Sequence, residues 1–215
     1  MNNKPIGILG GSFDPVHIGH LRLALESMDT AGLERVILIP LFTPTHRGEL
    51  VATPEQRHHM LEIATDKVPQ LEVSDIEIRR NTPSYTIDTI NELRQQDPHQ
   101  SICLIMGMDA FQYLDSWKDW EQMLELCNII VAERSGAEQV TLNPRLAEIL
   151  ESRKITHLDD IHSGTTGRVM KIDIPVLDIS SSKIRKLLAL NQRIDFLVPE
   201  DVRQYILDEK IYFKN

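Results

Sequence analysis

The stretch GILGGSFDPVHIGHLRLALESM, residues 7–28, joins an apolar run, two adjacent glycines and two histidines that lie three residues apart. The apolar run begins at Pro5 and ends at Leu9, which is typical of a buried strand that stops at the glycines. Apolar residues then recur at helical spacing, so a helix is predicted to begin near Ile18. The stretch therefore predicts a strand, a glycine turn and an amphipathic helix in direct succession.

The same alternation continues along the chain of 215 residues. Short apolar or alternating runs predict further strands at residues 35–40, 71–80, 101–107, 128–134 and 168–175. Apolar residues at helical spacing predict helices at residues 53–67, 85–96, 117–126, 143–153, 180–190 and 199–210. This order predicts the α/β class, with a Rossmann-like, doubly wound parallel sheet, helices on both of its faces and a C-terminal helical segment.

The chain shows no long linker that would divide it into domains. Residues 157–168 are its most loop-like segment, and they are too few to separate two domains. We expect a single domain over residues 1–215, with the C-terminal helices, about residues 180–210, packed on it.

Two helices carry start signals. Thr53 is the expected N-cap of one, with Pro54 at the first helical position and Gln56 completing a capping box. Asn143 is the expected N-cap of the other, with Pro144 behind it.

The charge balance argues against a large polyanionic partner. The chain has 23 Lys and Arg against 32 Asp and Glu, which gives a net charge of -9. Nucleic-acid binders usually show a basic excess or a basic stripe, so we expect no nucleic-acid partner. A local basic pocket for a small anion stays open.

Cysteine use and hydropathy indicate the compartment. Cys103 and Cys127 lie in apolar runs, which predicts two buried free thiols rather than a disulfide framework. The first residues, MNNKPIGILGG, lack the apolar region of a signal peptide. No window approaches the ~18 uninterrupted apolar residues of a membrane span. We therefore expect a cytoplasmic protein with no membrane partner.

The glycines mark the expected ligand site. Ligands of open parallel sheets bind beyond the carboxyl ends of the strands, where Gly10 and Gly11 are placed. Glycine lets the backbone approach a phosphate closely, because no Cβ intervenes. The N-terminus of the helix that begins near Ile18 favours an anion at the same place.

The two histidines supply hydrogen-bond donors at that helix start. His17 and His20 project from one side of it, and Gly19 between them leaves room for a ligand. Two imidazole donors could stabilise the charge that gathers on a phosphate during transfer. A pair of surface histidines is the alternative interpretation. A zinc site is a weaker one, since no third ligand lies nearby, and we expect no dedicated metal site.

Two motifs resemble those of one superfamily. GGSFDPVHIGH, residues 10–20, resembles the G-x-[FY]-D-x-x-H-x-G-H signature of nucleotidyltransferases, whose H-x-G-H element also occurs in class I aminoacyl-tRNA synthetases. DISSSKIRKLL, residues 178–188, resembles the I-S-S-T-x-I-R element of the same superfamily. Its serines and basic residues fall at a predicted helix start, which suits phosphate oxygens. A capped amphipathic helix is the alternative for the second motif.

Further segments narrow the resemblance. PSYT at residues 83–86, MGMDAFQYLDSWKDWEQML at 106–124 and IIVAERSG at 129–136 are similar to segments of nicotinate mononucleotide adenylyltransferases. These enzymes condense ATP with nicotinate mononucleotide to give deamido-NAD and pyrophosphate. The resemblance runs from Gly7 to about Tyr212, nearly the whole chain.

The resemblance implies three groups of site residues. The catalytic group, which contacts the ATP phosphates, is His17, His20 and Arg185. The ATP-binding group, which lines the phosphates and ribose, is Gly10, Gly11, Ser12, Phe13, Gly107, Asp109, Ser180 and Ser182. The mononucleotide-binding group is His46, Arg47, Thr86, Trp117, Lys118 and Arg134.

Within the mononucleotide group, the resemblance implies that Trp117 stacks on the pyridine ring. It implies that backbone near Thr86 and Lys118 meets the nicotinate carboxylate. The residues themselves leave alternatives open. Trp117 and Trp120 are three apart in a predicted amphipathic helix, so either could be a core residue. Asp109 could instead cap the following helix, and His46–Arg47 could be a solvated loop.

Three positions depart from the family pattern. Thr45 stands where the family often has a second proline, Ser135 stands where it often has proline, and Ser182 stands where it usually has threonine. The first two fall on the mononucleotide side. Serine keeps the hydroxyl of threonine, so Ser182 remains a suitable phosphate contact.

The implied reaction requires positioning and charge stabilisation rather than covalent help. The phosphate of nicotinate mononucleotide is already an anionic nucleophile and would attack the α-phosphorus in line. Mg²⁺ is expected to bridge the ATP phosphates with few protein ligands. Alternatives are an adenylyltransferase for nicotinamide mononucleotide or another phosphorylated acceptor such as phosphopantetheine, a fragment of a class I aminoacyl-tRNA synthetase, and a non-catalytic nucleotide sensor. The preference for acid or amide and the oligomeric state stay open.

Overall fold

The computed structural model describes residues 4–44, 50–134, 140–155, 157–162 and 166–213, apart from the side chain of residue 134. The strands in these ranges are β1 Ile6–Gly11, β2 Val36–Pro40, β3 Leu71–Val73, β4 Ile102–Gly107, β5 Asn128–Arg134 and β6 Val169–Ile174. The helices are α1 Ile18–Ala31, α2 Pro54–Thr65, α3 Ile76–Arg80, α4 Thr86–Gln96, α5 Met108–Phe111, α6 Trp120–Leu126, α7 Pro144–Ser152, α8 Asp159–His162, α9 Ser181–Ala189 and α10 Glu200–Asp208. None of these described helices is long and apolar enough to cross a membrane.

The six strands form one sheet in the order β3-β2-β1-β4-β5-β6. The pairs β1–β4, β4–β5 and β5–β6 are parallel. Strand β1 lies inside the sheet, and the chain runs outward from it in one direction and then in the other. This reversal of strand order is the doubly wound pattern, which creates a ligand crevice at the carboxyl ends of the strands. The predicted α/β class with a Rossmann-like parallel sheet is confirmed.

The chain divides into two compact units that are interleaved along the sequence. Unit 1 comprises Met1–Gly10, Ala24–Ile37 and Tyr85–Val176. Unit 2 comprises Gly11–Leu23, Leu38–Ser84 and Leu177–Asn215. Neither unit is one continuous segment, because the chain passes between them repeatedly. The expectation of a single domain over the whole chain stays a prediction.

Unit 1 is built around paired apolar strands. Leu104 of β4 stands opposite Ile8 of β1 and Ile129 of β5, and Ile129 stands opposite Val169 of β6. All four side chains are buried. Strands of a parallel sheet that are covered on both faces read as continuous apolar runs, which is the pattern of the printed sequence.

The two cysteines belong to this apolar core. Cys103 and Cys127 are both free and buried. Burial raises the pKa of Cys127 to about 12 and also raises the pKa of Cys103, so both thiols stay protonated at neutral pH. The prediction of two buried free thiols is confirmed.

Unit 2 contains the helix with the strongest start signal. The Thr53 hydroxyl accepts a hydrogen bond from the Gln56 main-chain N–H at 3.2 Å, and the Gln56 side chain accepts one from the Thr53 N–H at 3.0 Å. Pro54 begins α2 as predicted, and the helix packs against β3 and α10. The predicted capping box is confirmed. Asn143 likewise caps α7, where it accepts from the Leu146 N–H.

Residues 71–80 were predicted as one strand, and this prediction is wrong. The strand ends at Val73, and a short helix follows from Ile76 to Arg80. Alternating apolar residues match both a strand and one face of a short helix. The spacing of apolar residues therefore cannot distinguish these two structures over so few residues. The Asp75 carboxylate and the Arg79 guanidinium, four residues apart, are 2.8 Å from each other, a pair that favours the helix.

Two further boundaries differ from the prediction. Strand β1 continues through Gly10 and Gly11, so the glycines are its last residues rather than a turn behind it. The loop-like segment 157–168 contains the short helix α8. The Ser101 hydroxyl donates to the carbonyl of Ile161 in that helix at 2.9 Å, a contact between distant positions that no local pattern signals.

Replacing Thr53 by alanine should destabilise the protein, because the capping box loses its side-chain acceptor. We expect Thr53→Ala to lower the free energy of unfolding by about 1 kcal/mol. For a chain of this length the same change lowers Tm by about 2–4 °C. Urea and thermal unfolding followed by circular dichroism measure both values. Thr53→Ser, which keeps the hydroxyl, is the matched control, and equal losses in the two variants would contradict the capping role.

Candidate active site

His17, just before α1, and His20, in the first turn of α1, are in contact. The rings of His17 and His20 stack with their centroids 3.6 Å apart and their planes at 21°. The ring of Phe13 meets His20 edge to face at 5.0 Å, and Phe13 itself is fully buried with φ of 47°. The main-chain N–H of His17 donates to Nδ1 of His20 at 3.2 Å. Because Nδ1 accepts, the proton of a neutral His20 ring lies on Nε2.

His20 is held in its neutral form. Burial and the neighbouring His17 lower the pKa of His20 well below 6.5, its ordinary value. A neutral ring with Nδ1 already accepting offers a single donor, the Nε2 N–H, to a ligand. His20 can therefore offer a neutral donor, and a protonated imidazolium is disfavoured.

Gly19 lies against the ring of His17. A Cβ at Gly19 would lie 3.0 Å from Nδ1 of His17 and 3.1 Å from its Cε1. Glycine therefore avoids crowding the His17 ring, and its role in leaving room for a ligand stays a prediction. His17 is only 6% exposed, and His20 is partly exposed, so His20 is the more accessible imidazole of the pair.

The start of α1 is also less open than the sequence suggested. The N–H of Ile18 donates to the carbonyl of Leu197 at 3.0 Å, and the N–H of His17 is taken by His20. These two donors are therefore engaged within the protein. The anion-binding capacity of this segment consequently depends more on side chains than we expected.

The serine-rich start of α9 contacts the stretch that carries the two histidines, residues 12–20, hereafter the histidine segment. Arg185 donates from Nη1 to the carbonyl of Asp14 at 2.6 Å, and the hydroxyl of Ser181 donates to the carbonyl of Pro15 at 2.9 Å. The Asp14–Pro15 peptide bond is cis. Residues from both ends of the sequence thus meet within unit 2, as the two-motif hypothesis required.

The remaining hydroxyls stay at the surface of the helix start. Ser180 is the N-cap of α9, and its hydroxyl accepts from the Lys183 N–H at 3.3 Å. Its oxygen lies 3.2 Å from that of Ser182, and both serines are exposed. Arg185 is partly exposed. Two hydroxyls at the start of one helix and a guanidinium one turn further along it match the side-chain types that bind phosphate oxygens.

The histidine segment contains a buried carboxylate, that of Asp14. Asp14 is 1% exposed. Its Oδ1 accepts from the Ala52 N–H at 3.0 Å and from the hydroxyl of Tyr212 at 2.8 Å, and its Oδ2 accepts from the Val51 N–H at 3.0 Å. Burial and the adjacent carboxylate raise the pKa of Tyr212, so its hydroxyl keeps the proton that it donates.

A buried arginine fixes the backbone on the other side of this segment. Arg57 is fully buried. Its guanidinium donates to the carbonyls of Ser12 at 2.9 Å, Phe42 at 3.2 Å and Ala52 at 3.3 Å. Burial lowers the pKa of Arg57, and the nearby Asp14 carboxylate opposes that shift.

Sequence reasoning missed the parts of this network that lie outside the motifs. Arg57 shares the buried face of α2 with Met60 and Leu61, three and four residues on, and an arginine on an apolar stripe is a signal of a buried cation. Asp14 stood inside the quoted motif without an assigned role. No local pattern indicates the partnership of Asp14 with Tyr212.

In unit 1, two predicted ATP-binding residues, Gly107 and Asp109, lie at the end of β4 and just after it. Gly107 ends the strand, and the carboxylate of Asp109 turns back over it, so that a Cβ at Gly107 would lie 2.3 Å from Asp109 Oδ1. The N-cap of α5 is Gly107, and Asp109 lies inside the helix. The alternative that Asp109 caps this helix is wrong. Asp109 is exposed, so its carboxylate is accessible to a ligand hydroxyl.

The two tryptophans have different environments. Helix α6 begins at Trp120, after Asp119 with φ of 49°, so the predicted helix over 117–126 starts three residues too early. Trp120 is 8% exposed, and the Arg145 guanidinium carbon lies 4.7 Å from its ring centroid. Trp117 has extended backbone and is partly exposed. Trp120 is the core residue of the pair, while ring stacking on Trp117 stays a prediction.

Lys118 and Thr86 lie near one helix start of unit 1. Lys118 Nζ is 3.1 and 3.2 Å from the two carboxylate oxygens of Asp88 and 4.7 Å from the ring centroid of Tyr85. Thr86 is the first residue of α4, and its N-cap, Tyr85, supplies no side-chain acceptor. The main-chain N–H groups of that first turn suit a carboxylate.

The other predicted site residues can be placed only in part. Gly10 lies near the end of β1, and a Cβ there would meet no atom within 4 Å. Arg134 ends β5, and its side chain lies outside the described residues. His46 and Arg47 lie outside them altogether, as do Thr45 and Ser135. Their roles stay predictions.

The neutral state of His20 can be tested by NMR. Because the pKa of His20 is lowered, we expect its Cε1–H chemical shift to stay constant from about pH 8 to about pH 6. The unfolded chain takes up a proton near pH 6.5 while folded His20 does not, so this residue also makes stability fall as pH drops below about 6.5. The signal is assigned by its loss in His20→Asn. A titration of that signal centred near the ordinary value would contradict the inference.

Comparison with known proteins identifies the family. A model of the Cytidylyltransferase-like family matches residues 8–187. A protein named "Probable nicotinate-nucleotide adenylyltransferase" from Aeromonas hydrophila is 39% identical over 212 residues, 99% of each chain. Proteins of the same name from Psychromonas ingrahamii, 35% identical over 99% of each chain, and Acidithiobacillus ferrooxidans, 38% identical over 95% of this chain and 94% of that one, are also similar.

Solved structures show the same fold. Two structures of Plasmodium falciparum nicotinic acid mononucleotide adenylyltransferase, one complexed with NaAD and one with APC, superpose with TM-scores of 0.72 and 0.71. Their identities are 20% and 21%, and the match covers 97% of both chains in each case. A family match over most of the chain, with relatives of this identity aligned along nearly their full length, shows that the chain belongs to the cytidylyltransferase-like family, among the nicotinate-nucleotide adenylyltransferases.

Proposed function

We propose that this chain transfers AMP from ATP to nicotinate mononucleotide, giving deamido-NAD and pyrophosphate in NAD biosynthesis. The observation that carries the proposal is the contact between the two motif segments, in which Arg185 donates to the Asp14 carbonyl at 2.6 Å. That contact brings the histidine pair and the serine-rich helix start into one unit. The relatives that align along its length carry the same activity in their names.

The phosphates of ATP are the ligand that these groups suit best. In the proposed complex the hydroxyls of Ser180 and Ser182 and the guanidinium of Arg185 hold the triphosphate. The Nε2 N–H of His20 points a neutral donor at the phosphate oxygens, and backbone from Gly10 to Phe13 lines the phosphate chain. Fixed donors of this kind stabilise charge as it develops, without reorganising during the reaction.

The reaction needs no general base in this arrangement. The phosphate of nicotinate mononucleotide is anionic at neutral pH and can attack the α-phosphorus in line, with pyrophosphate as the leaving group. His20 is a poor base, because its pKa is lowered and its Nδ1 already accepts a hydrogen bond from His17. Its role is therefore to donate, and we propose that no covalent enzyme intermediate forms.

Mg²⁺ would enter as part of the ATP substrate. Within the described ranges, no group of three or more His, Cys, Asp or Glu side chains could hold a metal ion. The buried Asp14 carboxylate is already engaged by three hydrogen bonds. These features suit an ion carried on the phosphates, where it neutralises charge on the nucleotide.

The mononucleotide is proposed to contact residues of unit 1. Trp117 is partly exposed and would stack on the pyridine ring, and the first N–H groups of α4 at Thr86 would bind the carboxylate. The ammonium of Lys118 would add a favourable charge, although Asp88 already pairs with it. A carboxylate ligand distinguishes the acid mononucleotide from the amide, so we propose a preference for the acid.

A pyrophosphate assay separates this function from its alternatives. The protein is mixed with ATP, Mg²⁺ and one acceptor: nicotinate mononucleotide, nicotinamide mononucleotide or phosphopantetheine. We expect release of pyrophosphate to be fastest with the acid mononucleotide. Faster release with another acceptor would change the substrate assignment, and ATP binding without release would indicate a nucleotide sensor. A synthetase fragment is disfavoured, because a relative named as an adenylyltransferase aligns along 99% of both chains. We propose a cytoplasmic enzyme with no nucleic-acid or membrane partner.

Removing the His20 ring should slow catalysis. Loss of one preorganised donor to a developing oxyanion costs on the order of 10²–10³ in kcat, so His20→Ala is expected to lose that much. Steady-state kinetics with ATP and nicotinate mononucleotide measure the change. His59→Ala is the matched control, because His59 is exposed and lies beside Glu62 on α2. A loss in His20→Ala of less than roughly threefold would remove His20 from the mechanism.

Trp117 should affect only the mononucleotide. Stacking of a base on an aromatic side chain contributes about 1–3 kcal/mol, so Trp117→Ala is expected to raise KM for nicotinate mononucleotide by roughly 5- to 150-fold. KM for ATP should stay within roughly twofold, and Trp117→Phe should keep most of the affinity. Equal increases in both KM values would argue against a specific stacking role.

A further inference from the structure

Asp14 contacts Arg185 and also accepts three hydrogen bonds from other parts of unit 2. Its carbonyl accepts from Nη1 of Arg185 at 2.6 Å, and its Oδ2 lies 3.6 Å from the same nitrogen. Its carboxylate also accepts from Val51 N–H, Ala52 N–H and the Tyr212 hydroxyl. Arg185 is thus held at one nitrogen by a residue that is itself fixed on its other side.

The direction of the Arg185 guanidinium follows from this contact. Its side chain is 31% exposed, whereas Asp14 is buried. A guanidinium has five N–H donors in a planar fork, so fixing one of its nitrogens orients the others. The donors that do not face Asp14 stay available for a bidentate contact with phosphate oxygens.

The hydroxyl of Tyr212 limits how strongly Asp14 competes for Arg185. Carboxylate and phosphate oxygens bind the same guanidinium donors, so an unsatisfied carboxylate would draw Arg185 away from a nucleotide. Tyr212 is 6% exposed, and its hydroxyl donates to Oδ1, the oxygen that does not face Arg185. The carboxylate is thereby held by neutral donors, and its pull on Arg185 is reduced.

We infer that Asp14 and Tyr212 are positioning residues for catalysis, in which the Tyr212 hydroxyl holds the Asp14 carboxylate and Asp14 orients Arg185 toward the triphosphate. The inference rests on the proposed adenylyl transfer for its kinetic readout. By this inference Tyr212, which lies 198 positions from Asp14 in the chain, affects the proposed phosphate-binding guanidinium of Arg185.

A double-mutant cycle tests this chain of contacts. Tyr212→Phe removes only the hydroxyl and is expected to lower kcat about tenfold, the size typical of a lost hydrogen bond to a charged group. In an Arg185→Ala background the same change should lower kcat by less than roughly twofold, because the residue through which it acts is gone. KM for nicotinate mononucleotide should not change in Tyr212→Phe.

Two variants serve as checks on the cycle. Tyr205→Phe removes a tyrosine hydroxyl from α10, where the ring contacts His59 rather than Asp14, and should leave kcat unchanged. Asp14→Asn keeps the carbonyl that binds Arg185 but weakens the acceptor of Tyr212. The decrease in kcat that it causes should also disappear in the Arg185→Ala background. Thermal unfolding of each variant confirms that the compared proteins are folded.

Two results would overturn the inference. One is an equal decrease in kcat from Tyr212→Phe in both backgrounds, which would show a merely structural effect. The other is a Tyr212→Phe variant with wild-type kcat. The same cycle is also measured by calorimetry with ATP alone, which needs no turnover. If the wild type released no pyrophosphate from ATP and nicotinate mononucleotide, the proposed function would fail, while coupling between Tyr212 and Arg185 in ATP binding would still support the positioning role.

Discussion

A single buried carboxylate organises the functional part of unit 2. Asp14 carries a charge that burial penalises heavily unless every lone pair finds a donor. The chain meets that requirement with the Val51 and Ala52 N–H groups and the Tyr212 hydroxyl, while Arg185 binds the carbonyl of the same residue. The carboxylate and the carbonyl of Asp14 together therefore join four distant stretches of sequence. A buried acceptor that is left without any donor costs about 1–3 kcal/mol.

Arg57 is a second buried charge in unit 2, and it satisfies the neighbouring backbone. It is a buried cation whose three contacts are all carbonyls, those of Ser12, Phe42 and Ala52. Carbonyls left without donors in a buried loop would be as costly as an unpaired side chain. The two charges together fix the segment that presents Phe13, His17 and His20. Donors that are fixed before the ligand arrives are more effective in catalysis than donors that must be ordered by it.

The sequence is informative where a local pattern has one physical meaning. The first strand, the helix from Ile18 and the capping box at Thr53 were all predictable, because each depends on neighbours within a few residues. The meeting of the two motif segments was predictable from their shared suitability for phosphate. A pattern that fits two structures can give a wrong prediction. The alternation of residues 71–80 fitted one strand, but a short helix follows Val73.

The buried network lay beyond such reasoning, since contacts such as Arg57–Ser12 and Asp14–Tyr212 join residues 45 and 198 positions apart in the chain. That separation also sets an order in time for biosynthesis. A ribosome adds about 5–20 residues per second, so roughly 10–40 s elapse between the synthesis of Asp14 and that of Tyr212. During that interval the Asp14 carboxylate lacks the hydroxyl of Tyr212, and the contacts around Asp14 in unit 2 are incomplete. The earliest motif to leave the ribosome is thus among the last to be completed.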